Sequence, residues 1–449
     1  MPPHRDGQLS AGSTLVTRTC RISDVSFRSF LAGRPAPRIY WTTPDGLEIA
    51  ASGAVARITA EGQGRFDDVR ARASDLFASV DRNDSTPDGG DCPKATRPRL
   101  FGGFSFHAEH DANPPWDDFP GAEFVLPRVQ LTRTESDTWL TVSARETSPG
   151  SVEQTLSETR AETETLPKMR PTADPPGIEA TRHAASRGEW CEQVRRATDQ
   201  IRDGTLRKVV LATALDVKLT DPVSVPDTLE RLRTSYPECY RFLVEPASTG
   251  SFFGAPPERL VSLRGQTVET EALAGSVARG ETPEEDDGLA AELAESEKVR
   301  EEHDLVTETI RDGLEPLASS VTVGERRLKR LSNIQHLQTP ISAELDGDEH
   351  ALSVVEALHP TPAVGGLPPD EAMRTIRETE TFDRGWYASP VGWFDADGDG
   401  EFAVGIRSGV AAGERATLFA GNGIVADSDP SAEWEEVQLK FLPILDELE

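Results

Sequence analysis

The chain has 449 residues, 37% of them hydrophobic, and its 77 acidic and 47 basic residues give a formal net charge of −30. This length suits two domains or one large α/β structure with a sizeable core. A surface so negative repels phosphate backbones and anionic lipid headgroups, so nucleic-acid binding and membrane-surface binding are disfavoured.

The chain divides into three parts by composition. Residues 1–145 contain strand-like runs at 56–62 and 124–133, separated by Gly, Pro and Asp turns, and are predicted to be mostly β. Residues 146–186 are rich in Thr, Glu and Pro and show little apolar periodicity, which predicts a linker or a surface insertion. Residues 187–449 form the third part.

The third part alternates helix and strand signals. Apolar residues from Trp190 to Ile201 recur at helical spacing, and a buried strand is predicted over 208–212. Long helices are predicted over 286–317 and 431–448. Further strands are predicted at 240–244, 258–263, 390–394, 401–406 and 417–425.

Both long helices carry acidic residues on an apolar face. Glu302 lies at helical spacing from Val306 and Ile310. On the second helix the shared face comprises Glu433, Glu436, Val437, Lys440, Phe441 and Ile444. If these faces meet, three carboxylates converge and need a cation, and ligands that are all oxygen atoms favour Mg²⁺.

A purely structural interpretation of these carboxylates is equally open at this point. Glu433 follows Asp429 and Pro430, so its charge can simply complement the positive end of the helix dipole. Glu302 can pair with an arginine instead of a metal. The spacing alone does not decide between the two interpretations.

Two other sequence patterns resemble metal sites but are better explained without a metal. The run from Asp395 to Gly400 resembles the start of an EF-hand loop, but its twelfth position is Ile406 and strands flank it, so a hairpin turn is predicted. His303 adjoins Glu302 yet points about 100° away around the helix, which favours a structural role.

Ordered motifs in the third part resemble the chorismate-utilising enzymes, the family of isochorismate, salicylate and anthranilate synthases. They are RKVVLA (207–212), PPERL (256–260), ALAGS (272–276), SEKVREEH (296–303), IQHLQTPI (334–341), LHPTPAVGGLP (358–368), FDRGWYASPVGW (382–393), AVGIRSG (403–409) and LFAGNGIVADSDPSAEW (418–434). Weaker matches at 98–107 and 119–129 resemble isochorismate synthases of the menaquinone pathway. The resemblance implies an α/β (α+β) fold of large antiparallel sheets facing each other, with helices outside and the first part packed on the catalytic part, 187–449.

The resemblance also implies roles for single residues. Lys208 matches the general base that takes a proton from water as it attacks C2 of chorismate, and Glu258 matches the general acid that protonates the departing C4 hydroxyl. The acid must then have a raised pKa. Glu302 and Glu433 match the Mg²⁺ ligands, with Glu436 close by.

Substrate contacts follow from the same matches. Arg407 and Tyr387 are expected to hold one carboxylate of chorismate, and Lys440 with the backbone at Gly421 and Gly423 the other. Gly275 and Ser276 match a pair that contacts substrate near the metal, and His336 matches a histidine that orients the ring.

The expected reaction is the Mg²⁺-dependent conversion of chorismate to isochorismate, most simply for menaquinone synthesis. Lys208 and the lack of a glutaminase nucleophile indicate water as the nucleophile, so no glutaminase subunit is expected. Ala363 stands where salicylate synthases tend to carry Thr, which favours release of isochorismate. A salicylate synthase, a siderophore-pathway enzyme and an inactive chorismate-binding protein are the alternatives. Whether the chain is a monomer or a homodimer stays open.

Four cysteines, Cys20, Cys92, Cys191 and Cys239, lack the CxxC spacing of zinc sites. No apolar segment of a secretion signal follows Met1, and no apolar run is long enough to span a bilayer. These features predict a cytoplasmic protein with reduced thiols.

The acidic composition generates a first prediction. Only seven basic residues are lysines, and such a surface suggests a halophile, because concentrated salt shortens the Debye length to a few Å and screens self-repulsion. Activity and the thermal midpoint should therefore rise when KCl is increased from low concentration to the molar range. Full activity and stability at low salt would contradict the halophilic interpretation and leave the chemistry untouched.

Overall fold

The computed structural model describes residues 14–82, 92–146, 150–247, 249–332 and 334–449; Arg82, Glu146, Ser276 and Lys298 are described by their backbone alone. The strands are β1 Thr14–Ile22, β2 Arg38–Thr42, β3 Glu48–Ala60, β4 Val80–Arg82, β5 Arg99–Phe104, β6 Ala122–Arg133, β7 Thr138–Glu146, β8 Ile178–His183, β9 Lys208–Leu219, β10 Arg241–Ala247, β11 Gly250–Gly254, β12 Arg259–Arg264, β13 Thr267–Ala278, β14 Ala318–Val323, β15 Arg327–Arg330, β16 Ile334–Leu345, β17 Gly366–Leu367, β18 Pro390–Asp395, β19 Gly400–Val404, β20 Ser408–Ala412 and β21 Arg415–Ile424. The helices are α1 Phe27–Ala32, α2 Arg65–Ala78, α3 Ser151–Thr163, α4 Arg187–Arg202, α5 Val225–Ser235, α6 Pro283–Glu295, α7 Glu297–Leu314, α8 Ala351–Leu358, α9 Pro369–Thr379 and α10 Pro430–Leu445.

The strands form one hydrogen-bonded network with two arms. The first arm runs from β6 through β3, β2, β10, β11, β20 and β21 to β9. The second runs from β6 through β5, β18, β19, β12 and β13 to β16. These pairings are antiparallel, as expected for the predicted fold class. The two arms face each other across the cavity described below.

The N-terminal strands are part of this network. Strand β2 pairs with β10, and β5 pairs with β18, so residues of the first 145 positions hydrogen-bond directly to the C-terminal part. Residues 146–186 contain helix α3, which packs on β1 and β7 through the buried side chains of Val152 and Leu156, and strand β8. Too few apolar side chains lie on α3 to give a periodic signal. The boundaries at 145 and 187 stay predictions.

One predicted helix is two helices in the structure. The expected helix over 286–317 breaks at Ser296, whose backbone is extended between α6 and α7. The Ser296 hydroxyl accepts a hydrogen bond from the Val299 amide at 3.3 Å and so caps α7. This cap starts α7 about one and a half turns before Glu302.

The EF-hand-like run is the predicted hairpin turn between β18 and β19. The Asp395 side chain accepts from the Asp397 amide at 2.9 Å, and the Asp395 amide donates to the Asp399 carbonyl at 2.8 Å. The Asp395 carboxylate and this backbone hydrogen bond organise the turn. His303 is fully buried and its Nε2 lies 2.7 Å from the Thr339 hydroxyl, which confirms the structural role.

Within the described residues, no helix is long and apolar enough to cross a membrane.

Arg384 ties β9 to the segments around it. Its side chain is 1% exposed and donates to the carbonyls of Val210 and Val364, each at 2.8 Å. It also pairs with Glu380, whose carboxylate in turn accepts from the Ala212 amide at 2.8 Å. Burial raises the pKa of Glu380, and the pairing with Arg384 offsets that cost.

Removal of Arg384 should therefore destabilise the fold. Arg384→Ala leaves Glu380 buried without its cation, and the free energy of unfolding should fall by about 3–5 kcal/mol. Urea unfolding followed by circular dichroism measures this loss. Arg182→Ala is the control, because Arg182 and its partner Asp216 are both exposed and should contribute little. Equal effects of both substitutions would contradict the assigned importance of the buried pair.

Candidate active site

A cavity of about 440 Å³ lies between the two arms of the strand network. Strands β9 and β21 line one side, β13 and β16 the other, and helices α7 and α10 contribute Glu302, Glu433 and Glu436. The predicted site residues that line it are Lys208, Glu258, Gly275, Glu302, His336, Ala363, Tyr387, Arg407, Gly421, Gly423, Glu433, Glu436 and Lys440. Ser276 pairs with His336 across β13 and β16, and its side chain lies outside the described part of the structure.

Lys208, the first residue of β9, reaches across the cavity to α7. Its Nζ atom lies 2.7 Å from Oε1 of Glu302, and the lysine side chain is 5% exposed. A Cβ atom on Gly423 would come within 2.9 Å of Lys208 Cε, so glycine leaves the room that this lysine needs. The structure thus resolves the pairing of Glu302: its partner is the predicted base and not an arginine.

Glu258 lies just before β12 and is buried. Burial is the main reason that its pKa is raised to about 7, and the nearby charge of Glu271 raises it further. Lys329 and Lys208 oppose that rise. The carboxyl is therefore partly protonated at neutral pH, as a general acid must be.

The three predicted metal ligands line the cavity, Glu302 from α7 and Glu433 and Glu436 from α10. Burial raises the pKa of Glu433, and the charge of Glu436 acts in the same direction. Among the described residues, no three acidic, histidine or cysteine side chains already form a metal-binding group. The three carboxylates instead contact Lys208, Lys440 and Asn422. Their oxygen atoms suit Mg²⁺, which commonly takes one or two protein carboxylates and completes its shell with water and substrate.

The predicted substrate anchor Arg407, and Ala388 next to the anchor Tyr387, have left-handed backbone conformations. Arg407 has φ 47° and Ala388 has φ 60°, values that are unfavourable for residues other than glycine. The Arg407 guanidinium lies 3.8 Å from the Cys239 sulfur and over the ring of Tyr236. These contacts hold its head group at the cavity wall.

Aromatic and backbone contacts order the remaining anchors. The Tyr387 ring stacks on Phe419 with 5.4 Å between ring centres, and burial raises the pKa of its hydroxyl, which stays a hydrogen-bond donor. Lys440 donates to the Gly421 carbonyl at 3.0 Å and pairs with Glu436 at 2.9 Å.

His336 is held as a neutral ring. Its Nδ1 atom lies 3.2 Å from the Gly275 carbonyl, which can only accept, so Nδ1 carries the proton. Burial and the charge of Arg407 lower its pKa to about 3. This favours the predicted orienting role over a role as base at neutral pH.

Gly275 permits the close approach of α7 to β13. Its φ is +70°, β13 bulges there, and a Cβ atom would come within 2.2 Å of Val299. No other residue satisfies both the backbone conformation and the contact.

Sequence reasoning missed Arg384 and Phe419, which line the cavity. It also did not predict the contact by which the Asn422 side-chain amide donates to Oε2 of Glu433 at 3.0 Å. Arg384 and Phe419 lie inside the motifs that resemble the family, and this was the one feature of the sequence that could have indicated a place in the site. The contact of Asn422 joins β21 to α10, two separate elements, so no local pattern in the sequence predicts it.

The comparisons with known proteins agree with this geometry. The sequence profile of the family described as chorismate binding enzyme matches residues 7–449. The chain belongs to the chorismate binding enzymes. Its relatives include the isochorismate synthase MenF of Bacillus subtilis, 37% identical over 79% of this chain and 75% of the relative. The salicylate biosynthesis isochorismate synthase of Pseudomonas aeruginosa is 36% identical over 91% of this chain and 84% of the relative.

A solved member of the family has the same fold. The menaquinone-specific isochorismate synthase MenF from Escherichia coli superposes with a TM-score of 0.81, at 26% identity over 98% of this chain and 97% of that chain. The fold class predicted from the motifs is thereby confirmed.

The burial of Glu258 predicts a pH-dependent stability cost. The folded state keeps this proton to about pH 7, whereas the unfolded chain releases it near 4.5, so the free energy of unfolding falls as pH rises through this range. Glu258→Gln should therefore be more stable than wild type at pH 8 by up to about 3 kcal/mol, a gain that vanishes near pH 4.

Urea unfolding at both pH values measures the difference. Glu179→Gln serves as the control, because Glu179 is exposed and should show no such dependence. A Glu258→Gln protein less stable than wild type at pH 8 would contradict the assigned burial cost.

Proposed function

We propose that this chorismate binding enzyme is an isochorismate synthase that supplies menaquinone synthesis. The observation that carries the proposal is the presence of Lys208 and the partly protonated Glu258 in one cavity, each contributed by a different arm. The similarity to the Bacillus subtilis and Escherichia coli MenF proteins supports the reaction and the pathway. Cys191 and Cys239 are thiols, which suits the proposed cytoplasmic location.

In the proposed reaction, water adds at C2 of chorismate and the C4 hydroxyl leaves as water while the ring double bond shifts. Lys208, as the neutral amine, accepts a proton from the attacking water. Glu258, in its protonated form, donates a proton to the departing hydroxyl. One water enters and one leaves, and exchange with solvent restores both side chains.

The substrate is a dianion that must be held in one orientation. Arg407 can bind one carboxylate through two parallel N–H donors, with the Tyr387 hydroxyl as a further donor. Lys440 and the backbone around Gly421 and Gly423 line the cavity and would hold the other carboxylate. His336, whose Nδ1 donates to the Gly275 carbonyl, would orient the chorismate ring. Binding in a cavity that excludes bulk water strengthens these contacts.

Glu302 and Glu433 would hold Mg²⁺, with Glu436 beside them. The ion supplies positive charge that neutralises a substrate carboxylate. In the structure Glu302 contacts Lys208, so the Lys208 ammonium and the cation would compete for the same carboxylate.

Salicylate formation is the second candidate, and it would require loss of pyruvate after the same first step. Ala363 lines the cavity at the position where the resemblance places Thr in salicylate synthases. We therefore expect isochorismate to be released. Chromatography of the products formed from chorismate and Mg²⁺ separates isochorismate, salicylate and pyruvate.

Lys208→Ala tests the base. The variant should form no measurable isochorismate from chorismate and Mg²⁺ while its circular dichroism spectrum stays that of wild type. Lys218→Ala is the matched control, because Lys218 lies on the same strand and pairs with Glu179 at the surface. An unimpaired Lys208→Ala enzyme would refute the mechanism, and chorismate binding without turnover by the wild type would indicate an inactive binding protein.

A further inference from the structure

A second cavity of about 460 Å³ lies directly behind Glu258. It shares Pro257 with the active-site cavity, so Glu258 belongs to the wall between the two. The polar side chains that line it include Glu271 of β13, Lys329 of β15 and Gln338 of β16. None of these residues has a role in the reaction proposed above.

Glu271 and Lys329 hold the backbone on both sides of Glu258. The Lys329 ammonium donates to the Pro257 carbonyl at 3.0 Å and to Oε1 of Glu271 at 2.8 Å. The same Glu271 oxygen accepts from the Arg259 amide at 3.5 Å. The ion pair therefore bridges the residue before Glu258 and the residue after it.

Further contacts fix the ion pair itself. Gln338 donates to Oε2 of Glu271, and Arg327 donates from Nε to the Gln338 amide oxygen at 2.9 Å. The side chains of Lys329 and Glu271 are 22% and 11% exposed, so solvent screens their charges only in part.

The charges that face Glu258 act in opposite directions. Among the described residues they are Glu271 on β13, Lys329 on β15 and Lys208 on β9. Arg259, although next in sequence, directs its guanidinium to Glu269 and Tyr240. Glu271 therefore disfavours the carboxylate form of Glu258, and Lys329 favours it.

We propose that Glu271 and Lys329 are positioning residues that fix Glu258 at the wall of the active site and balance the charge around its carboxyl group. This inference rests on the proposed role of Glu258 as the general acid. The pair acts through Glu258 and touches no reacting atom.

Two substitutions should move the pH profile of kcat/KM in opposite directions. Glu258 must be protonated to act as an acid, so its deprotonation sets the alkaline limb of the profile, with a midpoint near pH 7. Glu271→Gln removes the like charge, so this limb should move to lower pH by about one pH unit. Lys329→Met removes the opposite charge, and the same limb should move to higher pH. The double variant removes both charges and should return the limb close to its wild-type position.

The matched controls are Glu179→Gln and Lys218→Met. They remove the members of an exposed glutamate–lysine pair at 2.6 Å, and neither should move the profile. Isochorismate formation at saturating Mg²⁺ is the readout, and the circular dichroism spectrum checks each variant for folding.

A second readout needs no turnover. The stabilisation by Glu258→Gln sets in near pH 4.5, where the unfolded chain releases its proton, and stops increasing at the pH where the folded protein does. That upper pH, and the size of the gain above it, should fall in the Glu271→Gln background and rise in the Lys329→Met background. Unmoved limbs and upper pH values, or movement in the same direction for both variants, would overturn this inference. If Glu258→Gln itself retained full activity, the proposed function would fail instead, whatever the stability measurements showed.

Discussion

The contact between Lys208 and Glu302 is the interaction on which the arrangement of the cavity depends. It joins the first residue of β9 to helix α7, which packs on β13, and so links the two arms of the strand network where they face each other. Arg384 and Glu380 hold β9 from behind, and the Ser296 cap sets the start of α7. A shift of either element would separate the proposed base from the proposed metal ligand.

The close approach of these elements needs space that only glycine leaves. Gly423 faces the Lys208 side chain, and Gly275 faces Val299 one turn before Glu302. Strain is stored nearby, since Arg407 and Ala388 adopt left-handed backbone conformations at the cavity wall. The surrounding sheet must hold the backbone in those conformations, because strained residues persist only where the rest of the structure compensates for their cost.

Sequence periodicity could predict the parts of the site that lie on single helices. On α10 the predicted face is the one observed, with Val437 and Phe441 buried and Glu433 and Lys440 turned to the cavity. Contacts between distant segments could not be predicted in this way. Asn422 holding Glu433 and Glu271 facing Glu258 depend on strand register and helix packing, which leave no local pattern. The break at Ser296 was missed because no glycine or proline marks it in the sequence, and it shows only in the extended backbone and cap that end one helix and begin the next.

The net charge of −30 gains a more specific meaning from the cavity. Its charged lining consists of Lys208, Arg384, Arg407 and Lys440 against Glu258, Glu302, Glu433 and Glu436. Two of the cations already pair with glutamates of the cavity, and Arg384 pairs with Glu380 behind it. With Glu258 protonated, the side chains alone leave little positive charge for a substrate with two carboxylates. A divalent cation on Glu302 and Glu433 would supply the missing charge, and it would do so at the carboxylate that Lys208 must release to act as a base.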